Sequence, residues 1–213
     1  VIDEAHCIGT GKFRKDCNLL GQLRALVPFT TPFLAVSATL PPSLLSNVTN
    51  TLYFKNPRII NVGNDRINIK YKVIQLKNSR TLLQDLDFLN DMVKTIVYFR
   101  TMGAAEDTAE IVRTLVGDDK VAVYRSMVSD DTVATCIQKF KNGSIHILVS
   151  TDAAGMGCDI NDVVRVVQYG YQDNLSSLVQ RFGRAARDPS IMGTGILLAP
   201  AIAPASVEPV LKE

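Results

Sequence analysis

The sequence lacks the features that mark several common classes of protein. Its four cysteines form no C-x-x-C pair and have no histidine at ligand spacing, which argues against a zinc site. No run of about 18 apolar residues occurs, so we expect no membrane span. Tryptophan is absent, and the net charge of +2 is too small to indicate a nucleic-acid partner without locally placed Arg and Lys.

Two further absences concern the start of the chain and its phosphate chemistry. No signal peptide and no initiator methionine precede Val1, which lies in a predicted strand, so we expect the chain to be part of a longer protein. The phosphate-binding loop G-x-x-x-x-G-K-S/T is also absent.

The composition that is present, 46% apolar and 21% charged residues, is ordinary for a globular protein. Scattered thiols are typical of a reducing compartment.

Short apolar strands alternate with amphipathic helices along the chain. We predict strands at 33–36, 58–62, 69–76, 95–99, 121–124, 145–149, 163–169 and 196–199. Helices are predicted at 19–27, 41–48, 82–93, 104–116, 129–140 and 174–186. This alternation predicts an α/β protein whose parallel sheets are flanked by helices. We divide it into an incomplete first lobe, a linker, a second lobe and a tail, at 1–63, 64–69, 70–203 and 204–213.

The first candidate site is the acidic pair that ends the first predicted strand. Val1 and Ile2 run directly into Asp3 and Glu4. Asp3 could hold Mg²⁺, usually through water, because hard cations prefer oxygen ligands. Glu4 could orient or deprotonate a water that attacks a γ-phosphate. Taken alone, such a pair at a strand end is more often a solvated turn.

Two later stretches carry groups of the kind that phosphate sites use. Arg184 and Arg187 are three residues apart, which on the predicted helix 174–186 places them on one face. There they could neutralise charge on a triphosphate, although a solvated basic face has the same pattern. The Gly-containing loop 150–158 follows an apolar strand, and ligands bind at the carboxyl edge of parallel sheets. A plain βα connection is the alternative for this loop.

Taken in order, four motifs resemble those of the superfamily-two helicases. They are D-E-A-H at 3–6, S-A-T at 37–39, T-D-A-A-G-M-G-x-D at 151–159 and Q-R-x-G-R-x-x-R at 180–187. Their surroundings are similar to those in the RecQ-like DNA helicases, notably Cys7-Ile8 after D-E-A-H, D-R-I-N at 65–68 and V-Y-F-R at 97–100. The resemblance implies two RecA-like lobes of the P-loop NTPase fold, the first of them truncated.

The resemblance also assigns roles at a nucleotide site. It implies that Asp3 binds Mg²⁺, that Glu4 is the catalytic base, and that Arg184 and Arg187 contact the γ-phosphate of ATP bound between the lobes. Coupling of lobe closure to hydrolysis would fall to Ser37 and Thr39. The other residues implied to serve the nucleotide site are His6, Arg66, Gly157, Asp159 and Gln180.

The implied function is that of an ATP-dependent DNA helicase of RecQ type that moves 3′ to 5′. ATP and Mg²⁺ would be its cofactors, and single-stranded and duplex DNA its partners. The residues implied to contact DNA are Phe13, Arg14, Arg100 and Thr151. The resemblance implies a nuclear protein in a eukaryote and a cytoplasmic one otherwise. Because the phosphate-binding loop is absent, we expect this chain alone to be inactive.

The chain departs from the family pattern at several positions. The loop after D-E-A-H is short and keeps Phe13 but none of the other aromatic residues usual there. Ser37 begins an S-A-T motif where T-A-T is commoner, and Ala186 stands where Gly is usual. These departures leave two alternatives open: a non-catalytic nucleic-acid-binding remnant of a helicase, and an RNA-directed helicase of the same superfamily.

Overall fold

The computed structural model describes residues 1–8, 15–28, 30–76, 82–124, 130–151, 160–172 and 174–200. The chain divides into two compact units, which we call unit 1, Val1–Asp65, and unit 2, Arg66–Glu213. Within the predicted linker 64–69, Arg66 to Ile69 lie in unit 2, and Ile69 begins its first strand.

Unit 1 is built from short helices. Two are 3-10 helices, Ala5–Cys7 and Lys15–Gln22, and two are α-helices, α1 (Leu23–Leu26) and α2 (Pro42–Thr51). Helix α2 begins at Pro42, as predicted, because a proline at the first helical position loses no hydrogen bond. The predicted helix 19–27 is replaced by a 3-10 helix and the single turn α1. Gly21 lowers helix propensity there, and it lies so close to Thr51 that an added Cβ would be 2.1 Å from the Thr51 carbonyl oxygen.

The strands predicted in unit 1 are largely absent from its described residues. Segment 33–36 contributes a single parallel bridge, in which Ala35 pairs with Ile2. The strand predicted at 58–62 is wrong: the described structure has no strand there, and Ile59, Ile60 and Val62 are exposed. An apolar run becomes a strand only where a neighbouring strand satisfies its backbone. The described core of unit 1 is correspondingly small and consists of Ala5, Ile8, Val48 and Leu52.

Unit 2 contains a six-stranded sheet in which every pairing is parallel. Its strands, in chain order, are β1 (Ile69–Gln75), β2 (Thr95–Tyr98), β3 (Val121–Val123), β4 (Ile147–Ser150), β5 (Arg165–Tyr169) and β6 (Gly193–Ala199). Their spatial order is β1-β6-β5-β2-β4-β3, so β1 and β3 lie at the edges of the described sheet. The parallel sheet confirms the predicted fold class.

Helices connect the strands of unit 2. They are α3 (Leu82–Asp85), α4 (Met102–Val116), α5 (Asp130–Lys141) and α6 (Leu175–Phe182), with 3-10 helices at Asp87–Asp91 and Asp118–Lys120. The Thr101 side chain caps α4 by accepting a hydrogen bond from the Ala104 amide, and Gly117 ends α4 with a φ of 96°. The predicted helix 82–93 is thus divided into α3 and a 3-10 helix. The predicted Ser129 cap of α5 lies outside the described residues.

The core of unit 2 covers both faces of its sheet. Successive residues of β2 and of the position just after it point to opposite faces of the sheet. Val97 and Phe99 therefore belong to one buried cluster, and Ile96 and Tyr98 belong to the other. Most of the buried β-strand residues are Val, Ile or Leu, the composition expected where helices cover both sides of a parallel sheet. Within the part of the chain that the structure describes, no helix is long and apolar enough to cross a membrane.

Candidate functional site

The acidic pair of unit 1 lies just after the bridge between Ile2 and Ala35. Asp3 is exposed, and its Oδ1 accepts a hydrogen bond of 2.8 Å from the Glu4 amide. Glu4 is in the left-handed region, with φ 51° and ψ 42°. This conformation is uncommon for a residue with a side chain, and such residues concentrate at functional sites. The backbone therefore turns sharply where the sequence predicts the catalytic base.

His6 joins this turn to the S-A-T segment. Its Nδ1 lies 3.0 Å from Ser37 Oγ and 3.2 Å from Glu4 Oε2. Ser37 Oγ donates to the Thr39 carbonyl at 2.9 Å and accepts from the Thr39 amide at 3.3 Å. Because the single hydroxyl proton of Ser37 points at Thr39, His6 Nδ1 is the donor to Ser37. The first two predicted motifs thus form one hydrogen-bonded network within unit 1.

The exposed carboxylate of Asp3 suits a magnesium ion. Mg²⁺ keeps several waters and needs only one or two protein carboxylates beside the phosphates of its substrate. No group of three or more His, Cys, Asp or Glu side chains that could enclose a metal occurs among the described residues. A single exposed carboxylate such as Asp3 is compatible with a hydrated Mg²⁺ ion.

Arg184 and Arg187 do not share a helix. Helix α6 ends at Phe182, and residues 183–186 form a turn, so the predicted helix 174–186 is four residues too long and the helical-face argument is wrong. The chain leaves the helix because the Ala186 amide donates to the Val163 carbonyl at 2.7 Å, with Ala186 at φ 48°. The two arginines nevertheless line one pocket. It measures about 10 Å³, room for no more than one water, and its other lining residues are Ile96, Tyr98, Leu148, Ile160 and Val163.

The chain just beyond Arg187 is held by its own side chains. Asp188 Oδ1 accepts hydrogen bonds from the Ser190 amide at 2.9 Å and the Ser190 hydroxyl at 2.6 Å. These bonds, the hydroxyl foremost, hold the pKa of Asp188 below its usual value, because they favour the charged carboxylate. The carboxylate therefore stays ionised beside Arg187 at neutral pH.

Arg66 lies against the turn that carries the arginines. Its Nη2 donates to the Ala186 carbonyl at 2.5 Å, and its Nε donates to Asn68 Oδ1 at 3.2 Å. Asn68 Nδ2 donates to the same Ala186 carbonyl at 2.9 Å and to the Ile191 carbonyl at 3.1 Å. Arg66 and Asn68, which lie in the predicted linker, thus both bind the backbone of the last motif.

Arg181 is a buried residue of the last motif to which the sequence reading assigned no role. Only 5% of it is exposed; its Nη1 donates to the fully buried Gln168 Oε1, and its guanidinium lies 5.0 Å from the centre of the Tyr98 ring. Gln168 Nε2 in turn donates to the Tyr169 carbonyl at 2.8 Å. A glutamine within the apolar strand β5 is the sequence signal that could have predicted a buried polar partner. Gln180, the preceding residue of the motif, is half-buried on α6.

Arg100 and Thr151, the described residues predicted to contact nucleic acid, lie at the carboxyl end of the unit 2 sheet, and the arginine turn lies at the opposite end. Arg100 and Thr151 follow the carboxyl ends of the neighbouring strands β2 and β4, whose last residues pair in register as Tyr98 with Ser150. The turn at 183–188 instead bonds to residues 161–163, before the amino end of β5. Four predicted site residues, Phe13, Arg14, Gly157 and Asp159, lie outside the described residues.

Comparison with known proteins gives matches to helicases. The family model of the helicase conserved C-terminal domain matches residues 77–189, more than half of the chain. The chain is 30% identical to the bifunctional 3′-5′ exonuclease/ATP-dependent helicase WRN of Mus musculus, over 94% of the chain and 15% of that protein. It is 29% identical to the RecQ-like DNA helicase BLM of Xenopus laevis, over 88% of the chain and 14% of that protein. The chain thus spans a small part of either relative.

A solved structure gives the same result for the fold alone. S. cerevisiae Dbp5 bound to RNA and ADP BeF3 matches with a TM-score of 0.76 at 17% sequence identity, over 99% of this chain and 54% of that one. The conserved helicase domain matches, and relatives are about 30% identical. As the four motifs predicted, the chain therefore belongs to the superfamily-two helicases and is a RecQ-like member of them.

Proposed function

We propose that this chain is part of the motor of an ATP-dependent DNA helicase of RecQ type, which translocates 3′ to 5′ on single-stranded DNA and unwinds duplexes. Unit 1 would supply the residues that activate water, and unit 2 would supply the arginines that stabilise charge in the same reaction. Both relatives are named as helicases, and WRN as ATP-dependent, which supports the proposal.

The observation that carries the proposal is the network of Glu4, His6 and Ser37. A carboxylate that orients attacking water is useful to a motor only if its position depends on the rest of the protein. His6 provides that dependence, because one nitrogen, Nδ1, lies within 3.2 Å of both Glu4 and Ser37. Movement of the S-A-T segment would therefore displace Glu4 through the imidazole.

Roles for the other residues follow from their placement. Asp3, exposed beside Glu4, would hold a hydrated Mg²⁺, and that ion would neutralise charge on the phosphates. Arg184 and Arg187 would neutralise charge that develops on the γ-phosphate, as guanidinium groups do in related enzymes. Arg100 and Thr151 would contact the DNA backbone at the carboxyl edge of the unit 2 sheet.

The residues 1–213 alone should not hydrolyse ATP. A loop of backbone amides with a lysine normally cradles the β- and γ-phosphates, and the sequence contains no such loop. We therefore propose testing the function in the full-length protein, by phosphate release with Mg²⁺, ATP and single-stranded DNA.

The first prediction is that Glu4→Gln and Arg187→Ala each lower the DNA-stimulated kcat of the full-length protein by about 10³-fold or more. Glu110→Gln is the matched control for Glu4→Gln, because Glu110 is an exposed residue of α4 paired with the neighbouring Arg113, and it should change nothing. Comparing unwinding of DNA and RNA duplexes tests the substrate. The proposal fails if Glu4→Gln retains kcat within about threefold of wild type, or if only RNA is unwound.

A further inference from the structure

Ala186 lies between the two arginines of the last motif and has an unusual backbone conformation. Its φ of 48° is in the left-handed region, which residues with a Cβ rarely adopt. Its side chain is fully buried, and a Cβ on Gly193 would lie 2.8 Å from the Ala186 Cβ. Such conformations persist only where the surrounding structure determines them strongly.

Both polar backbone groups of Ala186 are held by residues far away in the sequence. The amide donates to the Val163 carbonyl at 2.7 Å. The carbonyl accepts two hydrogen bonds, from Arg66 Nη2 at 2.5 Å and from Asn68 Nδ2 at 2.9 Å. We call Arg66 and Asn68, with these two bonds, the carbonyl clamp.

The carbonyl clamp acts on the peptide plane from which Arg187 begins. The carbonyl of Ala186 and the amide of Arg187 belong to one planar group, so fixing the oxygen also fixes the direction of the Arg187 Cα. The clamp is itself anchored: Arg66 Nε donates to Asn68 Oδ1, Asn68 Nδ2 also donates to the Ile191 carbonyl, and the Gly193 amide donates to the Asn68 carbonyl.

We propose that Arg66 and Asn68 are positioning residues for Arg187. They hold the Ala186 peptide in the conformation that sets the direction of Arg187, and Arg66 acts through the turn and not as a ligand of the nucleotide. The inference rests on the proposed ATPase function. It adds a residue, Asn68, and replaces the nucleotide contact that the sequence resemblance implied for Arg66.

The test uses Asn68→Asp in the full-length protein. Aspartate keeps the size of the side chain and the acceptor for Arg66 Nε, but it removes the donor to the Ala186 carbonyl. Asn64→Asp is the matched control, since Asn64 is an exposed residue four positions earlier. We expect Asn68→Asp to lower the DNA-stimulated kcat by about 10- to 100-fold, because displacing a catalytic group by about 1 Å has effects of that size. The KM for ATP should stay within about twofold, because a positioning residue makes no ground-state contact with the nucleotide.

A double-mutant cycle separates positioning from general loss of structure. If Asn68 acts through Arg187, adding Asn68→Asp to Arg187→Ala should lower kcat no further. Losses that multiply would contradict the proposal. Arg66→Ala should reproduce the fall in kcat. A rise in KM for ATP with kcat unchanged would instead make Arg66 a nucleotide ligand and overturn the proposal.

A measurement without activity distinguishes this inference from the proposed function. In residues 1–213, Asn68→Asp should speed amide exchange of Ala186 about tenfold or more while β2 (Thr95–Tyr98) is unchanged. Unchanged exchange at Ala186 would overturn the carbonyl clamp whatever the activity. Absence of DNA-stimulated ATPase in the wild-type full-length protein would contradict only the proposed function.

Discussion

Units 1 and 2 differ in how much core supports the residues that we propose for chemistry. Glu4, His6 and Ser37 lie in unit 1, whose described core has four members, Ala5, Ile8, Val48 and Leu52. The arginine turn of unit 2 lies beside a six-stranded parallel sheet with a buried cluster on each face. Several apolar side chains outside the helices of unit 1 are exposed; Val62, for example, is 94% exposed.

The comparison shows that local motif geometry does not require a large core. The Glu4–His6–Ser37 network is organised by one bridge and a few backbone bonds, such as the 2.9 Å bond from the Ala5 amide to the Val36 carbonyl. Burial of apolar area is the main source of folding stability, so we expect unit 2 to be far more stable than unit 1. The predictions below test that difference, from the largest effect to the smallest.

Truncating a buried leucine should have very different effects in the two units. Leu198 on β6 and Leu52 after α2 are both fully buried. Leu198→Ala should lower the free energy of unfolding of unit 2 by about 2–5 kcal/mol, because it removes contacts and leaves a cavity. Leu52→Ala should leave that transition unchanged. Urea unfolding of residues 1–213, followed by circular dichroism, makes the comparison; equal shifts for the two variants would refute it.

Adding one methyl group to β6 should also destabilise unit 2. Phe182 is the last residue of α6, and a Cβ at Gly195 would lie 2.7 Å from its ring. Gly195→Ala should therefore cost about 1–3 kcal/mol, as overpacking of a core does.

The matched control for Gly195→Ala is Gly103→Ala. Gly103 lies in the first turn of α4, and an added Cβ would meet no atom within 4 Å. Because alanine favours helix over glycine, Gly103→Ala should stabilise unit 2 by about 0.5–1 kcal/mol. Thermal unfolding gives both shifts, and the same sign for the two would contradict the packing described.

The smallest effect concerns an ion pair at the amino edge of the sheet. Asp91 accepts hydrogen bonds from both terminal nitrogens of Arg165, and these bonds hold the pKa of Asp91 below its usual value. Because folding lowers the pKa of Asp91, the ion pair stabilises the folded state fully above about pH 4. That stabilisation is lost as pH falls through the pKa of Asp91 in the folded state. Asp91→Asn should cost about 0.5–1 kcal/mol at pH 7, a value limited by the exposure of the pair.

The control for this pair is Asp131→Asn, which changes an exposed aspartate of α5. The difference in unfolding free energy between Asp91→Asn and wild type should shrink as pH falls below the folded pKa of Asp91, whereas Asp131→Asn should show no difference at either pH. A cost of Asp91→Asn that does not depend on pH would show that the ion pair is not its source.

Local signals in the sequence were enough to predict much of unit 2. Helix α4 was predicted because a Gly ends it, and the strands were predicted because Val, Ile and Leu run together. In unit 1, helix α2 was predicted because Pro42 fits a first helical position. Each of these signals acts between residues that are close in the chain.

The remaining features depend on distant residues. Helix α6 stops at Phe182 because Ala186 is bound by Val163, Arg66 and Asn68, the last two some 120 positions away. No local pattern encodes those bonds. The strand predicted at 58–62 was wrong for the same reason, since an apolar run becomes a strand only where a partner lies beside it. In the candidate site, the motifs located Glu4, His6 and the arginines, but they assigned no role to the buried Arg181.

The most direct test is amide hydrogen exchange on residues 1–213. Slow exchange across β2 (Thr95–Tyr98) and β4 (Ile147–Ser150), with fast exchange at 34–36, is the result predicted by the difference in core. The Val36 amide is informative because it is hydrogen-bonded, to the Ile2 carbonyl at 2.9 Å, so fast exchange there would report opening of unit 1 and not a missing bond. Equal protection of Val36 and of β2 would contradict the account.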